Sequence, residues 1–565
     1  MNEKWAREMI QELVHQGIKT FCIAPGSRST PLTLAAAEHP DAETIVHYDE
    51  RGLAFHALGI AKGGKGVALI VTSGSALGHL LPAVMEAHHD HIPLVLLTAD
   101  RPPELRDTGA NQTTDQVGFF HPFVRFQKDL PCPDPKIPEG VIGKMIAQGV
   151  ASAMHAPKGP IHFNCMYRKP LAKASPSPFV MNEGPETVLS LGKLQIGDQE
   201  YGKLADTFGK YEKGIILISG TEERIDPEEL YFLARTLQWP IFCDVLSEVR
   251  SDGEGYGLVS HYDFVLREVG SDPSFFPDAI LQIGDRFVSK TLLDWIGAMK
   301  PNMHCHIASH PVCKDATHTI THRVATDAPS FVKKLPSFHA SRPPSSWFDL
   351  WKSASRRVKE KVVSYFLEER FAEPHLFHLL KGVSAPAFFF ASSMTIRNGD
   401  LFFFPEEKTG RVFGNRGLSG IDGAIATAAG IARGRREGIV AIMGDLTFLH
   451  DLNSLPLIKQ LPVKIIVINN DGGDMFSFLP ISKRKEVFDE YFTTPHHLSF
   501  EQGAALFDIP YSNPKTLKGA KTALNTPGCS IIELTTEQGV SKQIHKEVEG
   551  LNHFGYSLPQ AIRID

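Results

Sequence analysis

The stretch from Ile439 to Gly473, IVAIMGDLTFLHDLNSLPLIKQLPVKIIVINNDGG, decides how this chain reads. Two aliphatic, β-branched runs, IVAIMG and VKIIVIN, end in Gly-Asp and in Asn-Asp-Gly-Gly. Each has the composition of a buried parallel strand bounded by turn residues. About one helix of sequence separates them, which makes a βαβ unit. In open sheets of such units, ligands sit where strands end in loops that lead into helices. Asp445 and Asn470 stand 25 residues apart (470 − 445) and reach the same crevice if their strands are neighbours. A carboxylate, an amide oxygen and a backbone carbonyl at Gly472 are hard oxygen ligands, suited to Mg²⁺ when phosphate oxygens complete the octahedron. Gly444 and the Gly472-Gly473 pair let the backbone approach phosphates with no Cβ in the way. A Gly-Asp after one strand is a common turn; the spacing of the two strand ends carries the reading.

The same texture continues outward. TFCIAP, ETIVHY, VALIVTSG and PLVLLTAD in the first third are strand candidates, separated by helical patterns such as ERGLAFHALGIAK. A second α/β block runs from KGIILISG at Lys213 through WPIFCDV and AILQIGD to Val324–Ala328. The Pro- and Ser-rich Arg168–Glu186 and His339–Ser346 read as linkers. The expected architecture is therefore three doubly wound, parallel-sheet α/β domains in series, over 1–175, 190–338 and 347–565. Blocks one and three share texture but no fixed repeat period.

The bulk numbers agree with a chain of this kind. Its 565 residues exceed one core and suggest about three domains. A hydrophobic share of 42% is ordinary for a globular protein, with no depletion of core formers of the kind that marks a disordered chain. The net charge of −6 argues against a general nucleic-acid partner, which needs a basic excess. No apolar run reaches the ~20 residues of a membrane span, and MNEKWAREMIQELVHQG lacks the apolar centre of a signal peptide. Seven scattered cysteines without a C-x-x-C pair read as reduced thiols, so a cytoplasmic location is expected.

Several stretches together resemble one family. They are APGSRSTPLTLAAAEHP, HYDERGLAFHALGIAK, VTSGSA, LLTADRPPELRDTGANQT, GPIHFNC, GNRGLSGIDGAIATAAG, GDLTFLHDLNSL and NNDGGDMFSFLP. The chain is similar to the 2-succinyl-5-enolpyruvyl-6-hydroxy-3-cyclohexene-1-carboxylate (MenD) synthases of menaquinone biosynthesis, which are thiamine-diphosphate-dependent enzymes. The fingerprint G-D-G, then N-N about 25 residues on, is kept except at Leu446, where these synthases also depart from glycine. The resemblance implies a pyrimidine-binding first domain and a diphosphate- and metal-binding third domain. It implies thiamine diphosphate with Mg²⁺ or Mn²⁺ held by Asp445, Asn470 and Gly472. Ser73, Gly74, Ser419, Ile421, Gly444, Leu446, Met475 and Phe476 would surround the cofactor, Ile421 buttressing its bent form.

Glu50, in HYDERG, would hydrogen-bond the aminopyrimidine ring and assist deprotonation of the thiazolium carbon. In this family that glutamate comes from a neighbouring subunit, which implies a homodimer or homotetramer. The implied reaction decarboxylates 2-oxoglutarate and adds the succinyl carbanion equivalent to isochorismate. Two anionic substrates call for cations, preferably arginine with its planar fork. Arg28, Arg101, Arg397 and Arg416 meet that demand, with Ser27, Asn111, Gln112 and Ser393 as neutral partners. Lys290, in SKTLLDW, stands where relatives carry a basic pair. Another thiamine-dependent enzyme, acetolactate-synthase-like or a simple 2-oxoacid decarboxylase, and a non-catalytic thiamine-diphosphate-binding regulatory protein are the competing readings. The first lacks the PGSRS and TADRPPEL motifs, and the second has no use for Glu50. The His- and Cys-rich run His304–Arg323 matches no zinc spacing and is read as structural. GIAKGGKG lacks the phosphate-loop pattern, and GIILISGTEER lacks a dinucleotide fingerprint.

Overall fold

A computed structural model describes residues 1–172 and 186–551. The first sheet contains β1 (Ile18–Ile23), β2 (Glu43–Val46), β3 (Gly66–Val71), β4 (Val95–Asp100), β5 (Phe126–Leu130) and β6 (Ile161–Met166). Its strands are all parallel, in the order β2-β1-β3-β4-β6-β5. The middle sheet holds β7 (Gly214–Ile218), β8 (Ile241–Cys243), β9 (Ala279–Ile283), β10 (Met303–Ala308) and β11 (His322–Ala325). Its order is β11-β10-β9-β7-β8. The third contains β12 (Ala387–Phe390), β13 (Arg411–Phe413), β14 (Ile439–Gly444), β15 (Val463–Asn469), β16 (Tyr511–Ser512) and β17 (Ser530–Thr535). It runs β13-β12-β14-β15-β17-β16, the strand order of the first sheet repeated. Three parallel α/β sheets in series are thus the architecture.

The central strands of each sheet are buried along their length because helices cover both faces, which is why they read as unbroken aliphatic runs. The edge strands β5 and β16 have no such run: FQKDL is partly exposed and YS spans two residues. Hydrophobic pattern alone does not reveal them. The strands β14 and β15 are paired neighbours, as their spacing requires, with Gly444 opposite Ile468.

First and third domains meet through two helices, Glu50–Lys62 and Ala424–Arg435. Gly59 and Gly430 stand at the crossing. A Cβ on Gly59 would lie 2.1 Å from the Thr427 carbonyl oxygen, and one on Gly430 would lie 2.1 Å from that of His56. The backbones touch directly, a contact that only glycine permits. The helix Ser346–Tyr365, expected to open the third domain, lays Trp347 and Trp351 on the middle-domain core, beside Phe242, Phe275 and Trp295. The first linker lies largely outside the described residues; the second precedes this helix as irregular chain. No helix among the described residues is long and apolar enough to cross a membrane.

Candidate active site

The loops after β14 and β15 form one crevice around Asp445. Its Oδ1 accepts the Leu446 N–H at 2.6 Å, and its Oδ2 accepts those of Gly472 and Asn470 at 2.8 and 3.1 Å. Burial raises the Asp445 carboxyl above its ordinary range, and these N–H donors and His496 oppose the rise. Asn470 Oδ1 is buried with no hydrogen-bond partner. A buried carboxylate beside an orphaned amide oxygen is a donor set that a hard divalent cation satisfies. Gly472 has φ +126°, and a Cβ there would meet the Thr493 carbonyl oxygen at 2.1 Å, so the turn requires glycine.

Every third-domain candidate named from the sequence lines a single cavity of about 290 Å³ around this crevice. Ser393 holds an unusual backbone for a side chain, φ 74° and ψ −137°, where β12 turns into the helix Met394–Phe402. Such strain clusters at functional sites. Its carbonyl accepts from Arg397 Nη1 at 2.7 Å, and its hydroxyl donates to Met475 Sδ at 2.9 Å. Burial, and then the neighbouring charge of Arg416, lower the Arg397 guanidinium from its usual value. Among the described residues the Arg416 guanidinium has no hydrogen-bond partner, although burial lowers it too. Two neighbouring cations that line one cavity suit an anionic ligand. Ser419 (φ 62°) and Ile421, 36% exposed, complete this wall.

The first-domain candidates gather at the carboxyl ends of β1 to β4, away from that cavity. Arg28 is buried and donates to the Tyr167 carbonyl at 2.7 Å; its Nε, like that of Arg101, has no partner. Ser27 and Asn111 are exposed beside them. Ser73 and Gln112 exchange hydrogen bonds with each other's backbone at 2.9 and 3.0 Å, and Gly74 N–H donates to Gln116 at 3.0 Å. Glu50 opens the helix Glu50–Lys62, capped by Asp49. It does not line the Asp445 cavity of its own chain. Its neighbours Tyr48 and Arg51 rest instead on the carbonyls of Asn453 and His450. Lys290 sits apart from both groups, largely exposed, with Asp294 at 3.3 Å.

Several residues at or beside this crevice escaped the sequence reading. His496 Nε2 lies 3.3 Å from Asp445 Oδ2, brought there by a loop with no motif of its own. Glu373, at the start of the helix Glu373–Leu380, lines the cavity, and burial pushes its carboxyl up to about 7. Asp474 accepts the Gly539 N–H at 3.1 Å; its place directly after Gly472-Gly473 was the available signal.

A second cavity, of about 790 Å³, opens where the amino ends of the first sheet face the carboxyl ends of the middle sheet. Within it one ligand atom each of His91, Asp285 and His310 lie within 4.8 Å of one another. Lys314 Nζ already supplies the cation there, 2.7 Å from Asp285 Oδ2. Arg125 also donates to His91 Nδ1 at 3.1 Å, which fixes the proton on the Nε2 that a metal would need free. His304 is held by Thr319 and Gln282, in keeping with a structural role.

Residues 4–119, 203–387 and 400–534 match, in turn, the N-terminal TPP binding domain, the middle domain and the C-terminal TPP binding domain of thiamine pyrophosphate enzymes. The chain is 39% identical to the 2-succinyl-5-enolpyruvyl-6-hydroxy-3-cyclohexene-1-carboxylate synthase of Salinibacter ruber, covering 96% of this chain and 95% of that one. It is 37% identical to the same-named synthase of Rubrobacter xylanophilus, covering 97% and 98%. A thiamine diphosphate-dependent 4-hydroxybenzoylformate decarboxylase of Rhodococcus jostii superposes with a TM-score of 0.70 over 95% of this chain and 99% of that one; at 16% identity it speaks to fold alone. The chain therefore belongs to the 2-succinyl-5-enolpyruvyl-6-hydroxy-3-cyclohexene-1-carboxylate synthase family of thiamine pyrophosphate enzymes.

Proposed function

We propose that this chain decarboxylates 2-oxoglutarate and joins the resulting succinyl unit to isochorismate by conjugate addition, with thiamine diphosphate and Mg²⁺ or Mn²⁺. The observation that carries the reading is the single cavity lined by Asp445, by Asn470 with its orphaned side-chain oxygen, and by Arg397 and Arg416. Bound there, the cofactor supplies a thiazolium carbon that becomes nucleophilic on losing its proton. Asp445, Asn470 and the Gly472 carbonyl are the residues that would hold its metal-bound diphosphate. Ser419 and Ile421 would shape the wall against its rings. Arg397 and Arg416 would bind substrate carboxylates and keep them charged in a low-dielectric cleft, where Arg forks give orientation as well as attraction. Ser393 fixes Arg397 through its carbonyl.

Glu50 would exchange the proton with the aminopyrimidine, yet it is not among the residues that line its own chain's cavity. A second copy of the chain would have to supply it, together with Arg28, Arg101 and Gln112 at the same sheet edge. The working unit in this reading is at least a homodimer, with two cavities each closed by the partner's first domain.

The deciding assay mixes the purified protein with 2-oxoglutarate and isochorismate, with and without thiamine diphosphate and Mg²⁺. Isochorismate is expected to disappear only when both are present. Turnover of pyruvate alone, with isochorismate untouched, would assign the chain to simple 2-oxoacid decarboxylation instead.

A further inference from the structure

The turn Arg416–Leu418 is gripped on both of its polar sides by other domains. Glu86, in the first-domain helix Ala76–His89, is 3% exposed. One of its carboxylate oxygens takes the Gly417 N–H at 2.7 Å and the other takes the Leu418 N–H at 2.6 Å. From the middle domain, Arg286 Nη1 donates to the carbonyls of Arg416 and Gly417. The donors and acceptors of adjacent peptides are thus satisfied by side chains 331 and 130 residues away in sequence. The approach is close: a Cβ on Gly417 would lie 2.5 Å from the Glu86 carbonyl oxygen and 2.9 Å from its carboxyl carbon.

This turn has little packing of its own to hold it. Leu418 is 47% exposed, Ile421 is 36% exposed and Ser419 adopts a left-handed φ of 62°. Arg416, Ser419 and Ile421 nevertheless all line the Asp445 cavity. Arg416 also borders the larger inter-domain cavity, so its side chain leaves the clamp at the boundary between the two. A carboxylate that accepts two adjacent peptide N–H groups fixes their orientation as well as their position. A guanidinium bridging two carbonyls does the same from the opposite side.

We propose that Glu86 and Arg286 are positioning residues, which present Arg416 to substrate through the turn they clamp. This rests on the reading of the Asp445 cavity as the substrate and cofactor site. Neither residue touches the reacting groups; both act through the turn.

The test uses the full chain loaded with thiamine diphosphate and Mg²⁺. Glu86→Gln keeps the side chain's size but sets an amide N–H against a peptide N–H. Arg286→Lys keeps the charge but replaces the rigid, planar Nη1 that both carbonyls share with a flexible ammonium. In either variant, hydrogen–deuterium exchange across 415–422 is expected to accelerate at least tenfold, while β14 and β15 exchange as in the parent chain. In the two-substrate assay, Glu86→Gln is expected to lower kcat/KM at least tenfold, mainly through KM. Added to Arg416→Met, it is expected to cost less than a further twofold, because both changes remove one interaction. Unchanged exchange of the turn, or losses that multiply in the double variant, would overturn the proposal. If Glu86→Gln fails to fold, Arg286→Lys carries the same two measurements. If the parent chain consumes neither substrate, the functional reading falls, and the exchange result still decides whether the clamp exists.

Discussion

The first and third domains are built on one strand order and carry opposite chemistry at matching places. After the first strand of each sheet come Arg28 and Ser393 with Arg397; after the second, Glu50 and Arg416. After the third come Ser73 and Asp445, and after the fourth, Arg101 and Asn470. The scaffold delivers side chains to a crevice at the carboxyl edge in both cases. Which side chains it delivers separates an edge with a buried carboxylate and an orphaned amide oxygen from an edge with Glu50 between two arginine-bearing loops. Fold similarity between the halves says where to look, and the residues at the strand ends say what each half does.

That division of labour can be broken most directly at Glu50. Glu50→Gln is expected to keep thiamine diphosphate affinity and lose about 10²–10⁴-fold in turnover, the usual worth of positioned proton transfer. Calorimetry beside steady-state kinetics checks it, and loss of binding would show that the first domain also anchors the cofactor. The mirror experiment is Asp445→Asn. Hydrogen bonds to a charged group contribute about 1.5–3 kcal/mol, so Mg²⁺-dependent cofactor affinity should fall about 10- to 100-fold. Unchanged affinity by calorimetry would move the metal elsewhere.

The joint between the two domains gives a smaller effect. In Gly430→Ala the new Cβ would meet the His56 carbonyl oxygen at 2.1 Å, so the helices must part. Overpacking of this kind costs about 1–3 kcal/mol, and Gly59→Ala should lower the melting temperature similarly because the contact is reciprocal. A melting temperature unmoved by either would mean the helices are free to slide. The middle domain supplies the control with the smallest effect and the opposite sign. Gly297, inside the helix Lys290–Met299, has open space where a Cβ would go. Gly297→Ala should raise stability by about 0.5–1 kcal/mol through helix propensity, read by thermal or urea melting.

Much of this molecule is legible along the chain. The aliphatic runs that became β14 and β15, and the Gly-Asp and Asn-Asp-Gly-Gly that end them, are local features whose physical meaning needs no distant partner. The same holds for the cluster of third-domain candidates, since strand ends on neighbouring parallel strands must fall side by side. The edge strands β5 and β16 were not legible, because exposure on one side removes the hydrophobic pattern. Lys290 shows the limit of motif reasoning: its position was readable, while its exposure and its contact with Asp294 depend on how the helix lies.

Sequence by itself determined three parallel α/β units and the pair of strand ends that brings Asp445 and Asn470 to one crevice, because periodicity and turn chemistry act over a few residues. Tertiary structure alone decided that His496 meets Asp445, that Glu50 does not line its own chain's cavity, and that Glu86 and Arg286 close on Arg416–Leu418 from two other domains. Those outcomes depend on which faces of distant elements pack together, and a hydrophobic pattern records that a face is buried without recording what lies against it.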